Sequence, residues 1–362
     1  MIQLYGDFGG ALSHAQVSRG IAYGLYTNGL RDLQLMDVGN QGLYEGLSEP
    51  IVAGGYGISL ATGFGEAPIG FYIGGYPPQM QNWLEGHQLR VALFIAESSR
   101  VPKTWAAVAN SLDLCVVPSA WVRDAFIAAG ARKEVMMVVP HGIHPLYMFA
   151  RARPPSGTPL QLLHICGSRD FPQRKGTPQL VEAFRQVFQP GEARLTLRVP
   201  PNTEEVRAVA LGCPDVILEE SYDSRPPLEQ IAYYLQGWDA VIQPSRAEAF
   251  GIVPVEARAC GLPVITTHCS GHLEHATPRD VVVNHGPEAH LRCNGIPSGA
   301  APAVTVEAIA EALRRWRSSR RWSDRDPQYA RGWQWPDVCR KLAAKLRDML
   351  RETKGPRSLN VI

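Results

Sequence analysis

The chain has 362 residues, of which 45% are hydrophobic and 19% charged, with 36 Lys and Arg against 34 Asp and Glu. This is globular composition at more than the length of one ordinary domain; it excludes a disordered chain, and no apolar run reaches the roughly 18 residues that cross a bilayer. Seven cysteines form no CxxC pair and the opening "MIQLYGDFGGALSHAQ" lacks the basic start of a signal peptide, so reduced thiols and a cytoplasmic location are expected.

Charge is uneven along the chain. Residues 1–150 hold 8 basic and 11 acidic side chains, whereas residues 151–362 hold 28 and 23. Anionic ligands are therefore expected at the second half, although a surplus made almost wholly of Arg also fits simple codon usage.

In chain order, "RVALFIAES" (90–98) and "LCVVPS" (114–119) read as buried parallel strands ended by polar turn residues, with a helix over "VPKTWAAVANSL" between them. "AWVRDAFIAAG" follows as a helix with Val122, Phe126 and Ile127 on one face and Gly130 as its stop, and "EVMMVVPHGIH" is the next strand. "MFARARPPSGTP" (148–159) has no apolar period and reads as an interdomain linker. The alternation then restarts with strand "LQLLHICG" (160–167), helix "PQLVEAFRQVF", strands "ARLTLRV" (193–199) and "DVILEE" (215–220), helix "LEQIAYYLQ" and strand "DAVIQPS" (239–245). Val338, Leu342, Leu346 and Leu350 make the tail "WQWPDVCRKLAAKLRDMLRE" one long amphipathic helix. Such repeated βα alternation predicts an α/β chain of two doubly wound, Rossmann-like domains: 1–150, 151–335, and a C-terminal helix and tail at 336–362.

Two loops carry the chemistry. "SRAEAFGIVPVEARACGLPVIT" (245–266) follows a strand, and Pro254 and Gly261 predict a short helix from about 254 to 260 with Glu256 in its first turn. Glu248 then sits on the loop at the strand's carboxyl end, where open α/β sheets bind ligands, and Gly251 allows close backbone approach. Two carboxylates for hydroxyls beside free helix amides for phosphate suit a nucleotide sugar. Spacing alone equally allows a surface Glu248 and a Glu256 that merely favours the helix dipole. "CGSRDFPQRKGTPQLVEAF" (166–184) places Arg169, Arg174, Lys175 and Gly176 ahead of a helix whose expected cap is Thr177 and first residue Pro178. Those cations suit a diphosphate, or form a solvated basic loop.

Together these segments resemble the glutamate-x7-glutamate and arginine/lysine-glycine segments of retaining glycosyltransferases of family 4. "VVPHGIHPLYMF" resembles that family's proline-x-glycine turn, "LCVVPSAWVRDAFIAAG" its serine-led helix, "GWQWPDVCRKLAAKL" its tryptophan-bearing final helix and, more loosely, "MIQLYGDFGGALSHAQVSRGIAYGL" its diglycine loop. The resemblance implies a GT-B fold with the active site in the cleft between the domains and the C-terminal helix packing back across them. It implies diphosphate contacts for Arg169 and Lys175, a transferred-sugar contact for Glu248 and a ribose contact for Glu256. Phosphate would be held by backbone amides at Phe250, Gly251, Ile252 and Val253 with Gly271 in the following turn, and Gly9 and Gly10 would close over the donor. Ala96-Glu97 stands where some relatives carry a histidine, which makes Glu97 and His14 candidate sugar contacts. No cofactor and no metal are implied beyond the nucleoside-diphosphate sugar.

Other patterns compete. His268, Cys269, His272 and His275 in "THCSGHLEH" imitate a metal site, and "DRD" (324–326) an aspartate-x-aspartate motif. "GGYGISLATGFGEAPIGFYIGGYPPQMQNW" (54–83) suits stacking on an acceptor or an irregular sheet edge. Arg314, Arg315, Arg317, Arg320 and Arg321 could follow a nucleic-acid backbone or form a solvated helix face. The rival functions are an epimerase or hydrolase acting on the nucleotide sugar itself, and a non-catalytic nucleic-acid-binding protein.

Overall fold

The computed structural model describes residues 1–8, 13–38, 67–74, 81–144, 159–166, 172–199, 203–220, 234–235, 237–293, 296–319 and 327–353. Residues 148–158 of the expected linker, residues 9–12 and most of the glycine-rich segment 54–83 lie outside these residues, as do Arg169, Arg320, Arg321 and the "DRD" triplet.

Two six-stranded parallel sheets form the molecule. The first contains β1 (Ile2–Gly6), β2 (Leu33–Asp37), β3 (Ile69–Gly74), β4 (Leu89–Phe94), β5 (Leu114–Val117) and β6 (Met136–Val138), in the order β2-β1-β3-β4-β5-β6. The second contains β7 (Leu160–Ile165), β8 (Ala193–Val199), β9 (Val216–Glu220), β10 (Ala240–Gln243), β11 (Val264–Thr267) and β12 (Val281–Val283). Its order, β12-β11-β10-β7-β8-β9, turns back on itself between β7 and β10, the switch point at which open sheets leave a crevice for ligands. β3 runs through the glycine-rich segment as a central strand between β1 and β4, so that part of the segment is not a sheet edge.

Hydrophobic helices cover both faces of each sheet. The Thr177–Val187 and Val306–Ser319 helices bury Leu180, Phe184, Ile309 and Leu313 against β7, β8 and β10 on one face of the second sheet. The opposite face packs Val241 and Leu163 under Val255 and Phe250. An antiparallel hairpin with no expectation in the sequence, β13 (Glu288–Cys293) and β14 (Ile296–Pro302), follows β12 with a register shift at Leu291/Arg292.

The tail is two helices, Trp335–Val338 and Arg340–Thr353, joined at Cys339, instead of one. Leu342, Leu346 and Met349 do face a core, and it is that of the first sheet, together with Ile21 and Leu25 of the Ser13–Thr27 helix. A Cβ on Gly20 would lie 2.0 Å from the Trp335 ring, and one on Gly24 2.5 Å from the Cys339 sulfur, so glycine is what lets these helices meet. Trp335, expected as the end of the second domain, therefore belongs to the first domain's core. No helix among the described residues is long and apolar enough to cross a membrane.

Candidate active site

β7 and β10 lie side by side, so the loops leaving their carboxyl ends meet. The first carries a single helical turn, Pro172–Lys175, then Gly176 at φ 71, which caps the Thr177–Val187 helix. Thr177 is thus the first helical residue and not the cap. Its hydroxyl is 2.9 Å from His164 Nε2, and His164 Nδ1 lies 2.8 Å from the Ile242 carbonyl. A carbonyl partner makes Nδ1 the donor, which leaves Nε2 to accept from Thr177. Burial lowers the His164 pKa to about 4, in keeping with that neutral tautomer. A Cβ on Gly176 would lie 2.6 Å from the Pro244 carbonyl, so glycine permits the two loops to touch.

Glu248 is the centre of the contact. It is 5% exposed, and its carboxylate meets Lys175 Nζ at 2.6 Å and Arg174 Nη1 at 3.4 Å. Burial alone would raise its pKa, but the two cations hold it well below the usual carboxylate range. Arg174, 4% exposed, also donates to the Ala247 carbonyl at 2.6 Å and reaches Glu97 at 2.8 Å. Glu97 follows β4 of the first sheet, so this ion pair crosses from one domain to the other. Nothing in the sequence distinguishes Arg174 from the other basic residues of its loop. Its two acidic partners come from segments far away in sequence, and only the meeting of three strand ends reveals it.

The predicted site residues divide accordingly. Lys175, Glu248 and Glu97 are brought together, with Arg174 linking them. The helix after Glu248 runs Ile252–Ala259 and starts at Gly251, φ 81, so it begins two residues earlier than expected and places Glu256 in its second turn. Glu256 is buried, at 7% exposure. Ile252 and Val253 open the helix, where backbone N–H groups lack intrahelical partners, as an anion requires. The Phe250 ring points into the core against His141, His275 and Trp333. Gly271 donates its N–H to the Glu248 carbonyl at 2.9 Å, so that amide braces Glu248 rather than meeting phosphate. Gly9, Gly10 and Arg169 lie outside the described residues, as does the side chain of His14.

The metal-like cluster is otherwise engaged. His268 meets Asp280 at 2.9 Å; His275 Nε2 lies 2.9 Å from the Phe250 carbonyl, with its Nδ1 3.0 Å from Arg258. His272 Nδ1 is surrounded by the Thr266 and Thr267 hydroxyls and the Thr267 carbonyl at 3.1–3.2 Å. Both hydroxyls already donate, to the Gln243 and Ser245 carbonyls, so Nδ1 is the donor, and burial lowers the His272 pKa to about 4. Among the described residues no group of three acidic, His or Cys side chains could hold a metal ion. Of the arginine patch, Arg315 donates to the Val282 carbonyl and Arg317 to the Val187 carbonyl and Glu192, which ties both to the fold; Arg314 is exposed.

Part of the sequence, and the fold as a whole, are similar to known proteins. Residues 161–316, which hold most of β7, β8 to β12 and Arg174, Lys175 and Glu248, match the family model described as Glycosyl transferases group 1. The chain is 30% identical over 162 residues to a protein of Sulfolobus islandicus filamentous virus provisionally named glycosyltransferase 45, covering 43% of this chain and 41% of that one. It is 27% identical over 211 residues to the D-inositol 3-phosphate glycosyltransferase of Corynebacterium glutamicum, covering 55% and 47% respectively. The matched stretches thus span less than half the length of these relatives. Over the whole chain the fold is GT-B. It is similar to sucrose-phosphate synthase from Thermosynechococcus elongatus, with TM-score 0.64, 16% identity and coverage of 97% and 99%. It is also similar to HepE of Anabaena in complex with UDP-glucose, with TM-score 0.60, 16% identity and coverage of 97% and 98%.

Proposed function

We propose that the protein is a retaining hexosyltransferase that moves a sugar from a nucleoside diphosphate to an acceptor hydroxyl without a metal ion or other cofactor. The observation that carries this reading is the meeting of Lys175, Arg174 and Glu248 at the switch point of the second sheet, opposite Glu97 of the first. A donor laid there would place its diphosphate by Lys175 and the amides of Ile252 and Val253, and its sugar hydroxyls toward Glu248. Glu256 is assigned to the ribose, Arg169 to the diphosphate, and Gly9 and Gly10 to the loop over the donor, by the motif positions set out above.

The chemistry is stabilisation of a leaving group. As the bond from the anomeric carbon to the diphosphate oxygen breaks, its electron pair leaves with the diphosphate and the sugar becomes oxocarbenium-like. Fixed cations and amides then bind the transition state better than the ground state. The acceptor oxygen forms the new bond on the face the diphosphate leaves, and its proton passes to the departing phosphate oxygen.

Uridine diphosphate sugars are the first donors to test, because HepE, a fold neighbour, is described with UDP-glucose. Melting temperature is measured with UDP, GDP and ADP and with their sugars. Stabilisation by one nucleoside diphosphate is expected, and none from any of them overturns the reading. Mass spectrometry of products with an acceptor panel, and the anomeric configuration by NMR, then separate transfer with retention from epimerisation or hydrolysis. Glu248→Ala should abolish transfer while nucleotide binding persists, and Lys175→Ala should weaken diphosphate binding.

A further inference from the structure

Among the described residues, Ser270 is the one non-glycine residue with a positive φ, 51°. Serine in this region is strained, and such strain persists where the surroundings enforce it. Ser270 opens the turn Ser270–Glu274, and its hydroxyl accepts the backbone N–H of Glu248 at 3.1 Å. The next residue, Gly271, donates to the Glu248 carbonyl, and a Cβ there would lie 2.4 Å from the Ala249 carbonyl oxygen. The turn therefore holds both backbone polar groups of Glu248, while Lys175 and Arg174 hold its carboxylate.

The other end of the same turn leaves the domain. The Glu274 carboxylate accepts the backbone N–H of Ala120, the first residue of the Ala120–Ala128 helix beside β5 of the first sheet. That helix start is also capped from within by Ser119, whose hydroxyl accepts the Val122 N–H at 3.2 Å. A carboxylate at a helix N-terminus is favoured by the aligned backbone dipoles, so docking Glu274 there stabilises contact between the domains. Five residues thus join an interdomain contact at one end to the backbone of Glu248 at the other, too few to absorb a shift of either end without moving the other.

We propose that Ser270 and Glu274 are positioning residues, and that the strained turn between them seats Glu248 against Lys175 and Arg174 when Glu274 is docked on the first domain. Engagement of the two domains and readiness of the sugar-facing carboxylate are then one event. The structural claim stands on the turn itself; its catalytic meaning rests on the reading of Glu248 given above.

The two parts are tested separately. Hydrogen exchange at the Glu248 amide is followed by mass spectrometry of short fragments in the wild type and in Ser270→Gly, Ser270→Asn, Glu274→Ala and Glu274→Gln. Glycine relieves the strain but removes the hydroxyl, and asparagine tolerates positive φ while keeping an acceptor. Exchange is expected to rise about tenfold or more in Ser270→Gly and Glu274→Ala, with melting temperature close to that of the wild type. Ser270→Asn and Glu274→Gln, which retain acceptors, are expected to restore protection. Unchanged Glu248 exchange in Glu274→Ala overturns the coupling, whether or not any sugar is transferred. With a turned-over donor, Ser270→Gly and Glu274→Ala should each lower kcat about tenfold with KM within about twofold, and the double variant should lose little more than either. Full kcat in both, with exchange raised, removes the catalytic role; failure of the wild type to bind any nucleoside diphosphate overturns only the reading of the site.

Discussion

Arg174 bridges Glu248, behind it in its own domain, and Glu97, across the cleft in the other, at 3.4 and 2.8 Å. Burial opposes its charge, but the two carboxylates raise its pKa, so it is a fixed cation between two anions. Removing one member of such a buried set strands the others. Arg174→Ala should cost about 3–5 kcal/mol, and Arg174→Lys, which cannot span both partners, an intermediate amount. Denaturant unfolding measures both, and a cost below that of ordinary surface substitutions would show that the bridge contributes nothing to the fold.

Gly251 is a second point of constraint. Its φ of 81° and a hypothetical Cβ 2.2 Å from the His272 ring make it a position where no side chain fits. Gly251→Ala should destabilise by more than about 2 kcal/mol and shift the start of the Ile252–Ala259 helix. Its melting temperature should fall well below that of Gly191→Ala, since Gly191 also has positive φ but open space around it.

Stability should decline with acid from near neutrality. His164 and His272 are held neutral to about pH 4, whereas an exposed histidine takes its proton near 6.5. Between those values the unfolded chain binds more protons than the folded one. Each histidine therefore removes stability as pH falls from about 6.5 to about 4, on the order of 1 kcal/mol per unit while both states differ. Glu248, with its lowered pKa, adds a loss of the same sign below the ordinary carboxylate range. Melting temperature should be nearly flat between about pH 7 and 8 and fall below 6.5; His164→Gln should make the fall shallower.

The C-terminal helix is expected to stabilise the first domain rather than the second. Leu346 is fully buried against the first sheet's core, and Leu346→Ala should cost about 2–5 kcal/mol. Gly20→Ala, whose Cβ would enter the Trp335 ring, should act similarly. Site-resolved hydrogen exchange checks this: protection should drop first in β1 and β3, not in β7 and β8.

Much of this organisation was legible because apolar runs and turn residues report strands and helices directly. β4, β5, β7, β8, β9 and β10 fall where the alternation put them. What was not legible depended on contacts distant in sequence. Arg174 looked like one of several loop cations until Glu97 and Glu248 closed on it. Pro254 suggested a helix start, but Gly251 in the left-handed region begins it earlier. His164 is a polar residue inside the apolar "LQLLHIC", and its partner Thr177 has the sequence signature of a cap. The hairpin of β13 and β14 has no regular alternation to announce it, and the four-residue spacing of the tail helix gives its buried face but not which core receives it.

That last packing arrangement bears on how the polypeptide matures. β6, the final strand of the first sheet, is complete at Val138, yet the core beneath it stays open until Trp335, Leu342 and Leu346 have been synthesised. A domain normally condenses once it has left the ribosome, the amino-terminal one first. Here the second sheet has all its strands by Val283 and its last packing residues, Tyr329 and Trp333, before Leu342 and Leu346 are made, so the half of the protein made first should be the half that finishes folding last.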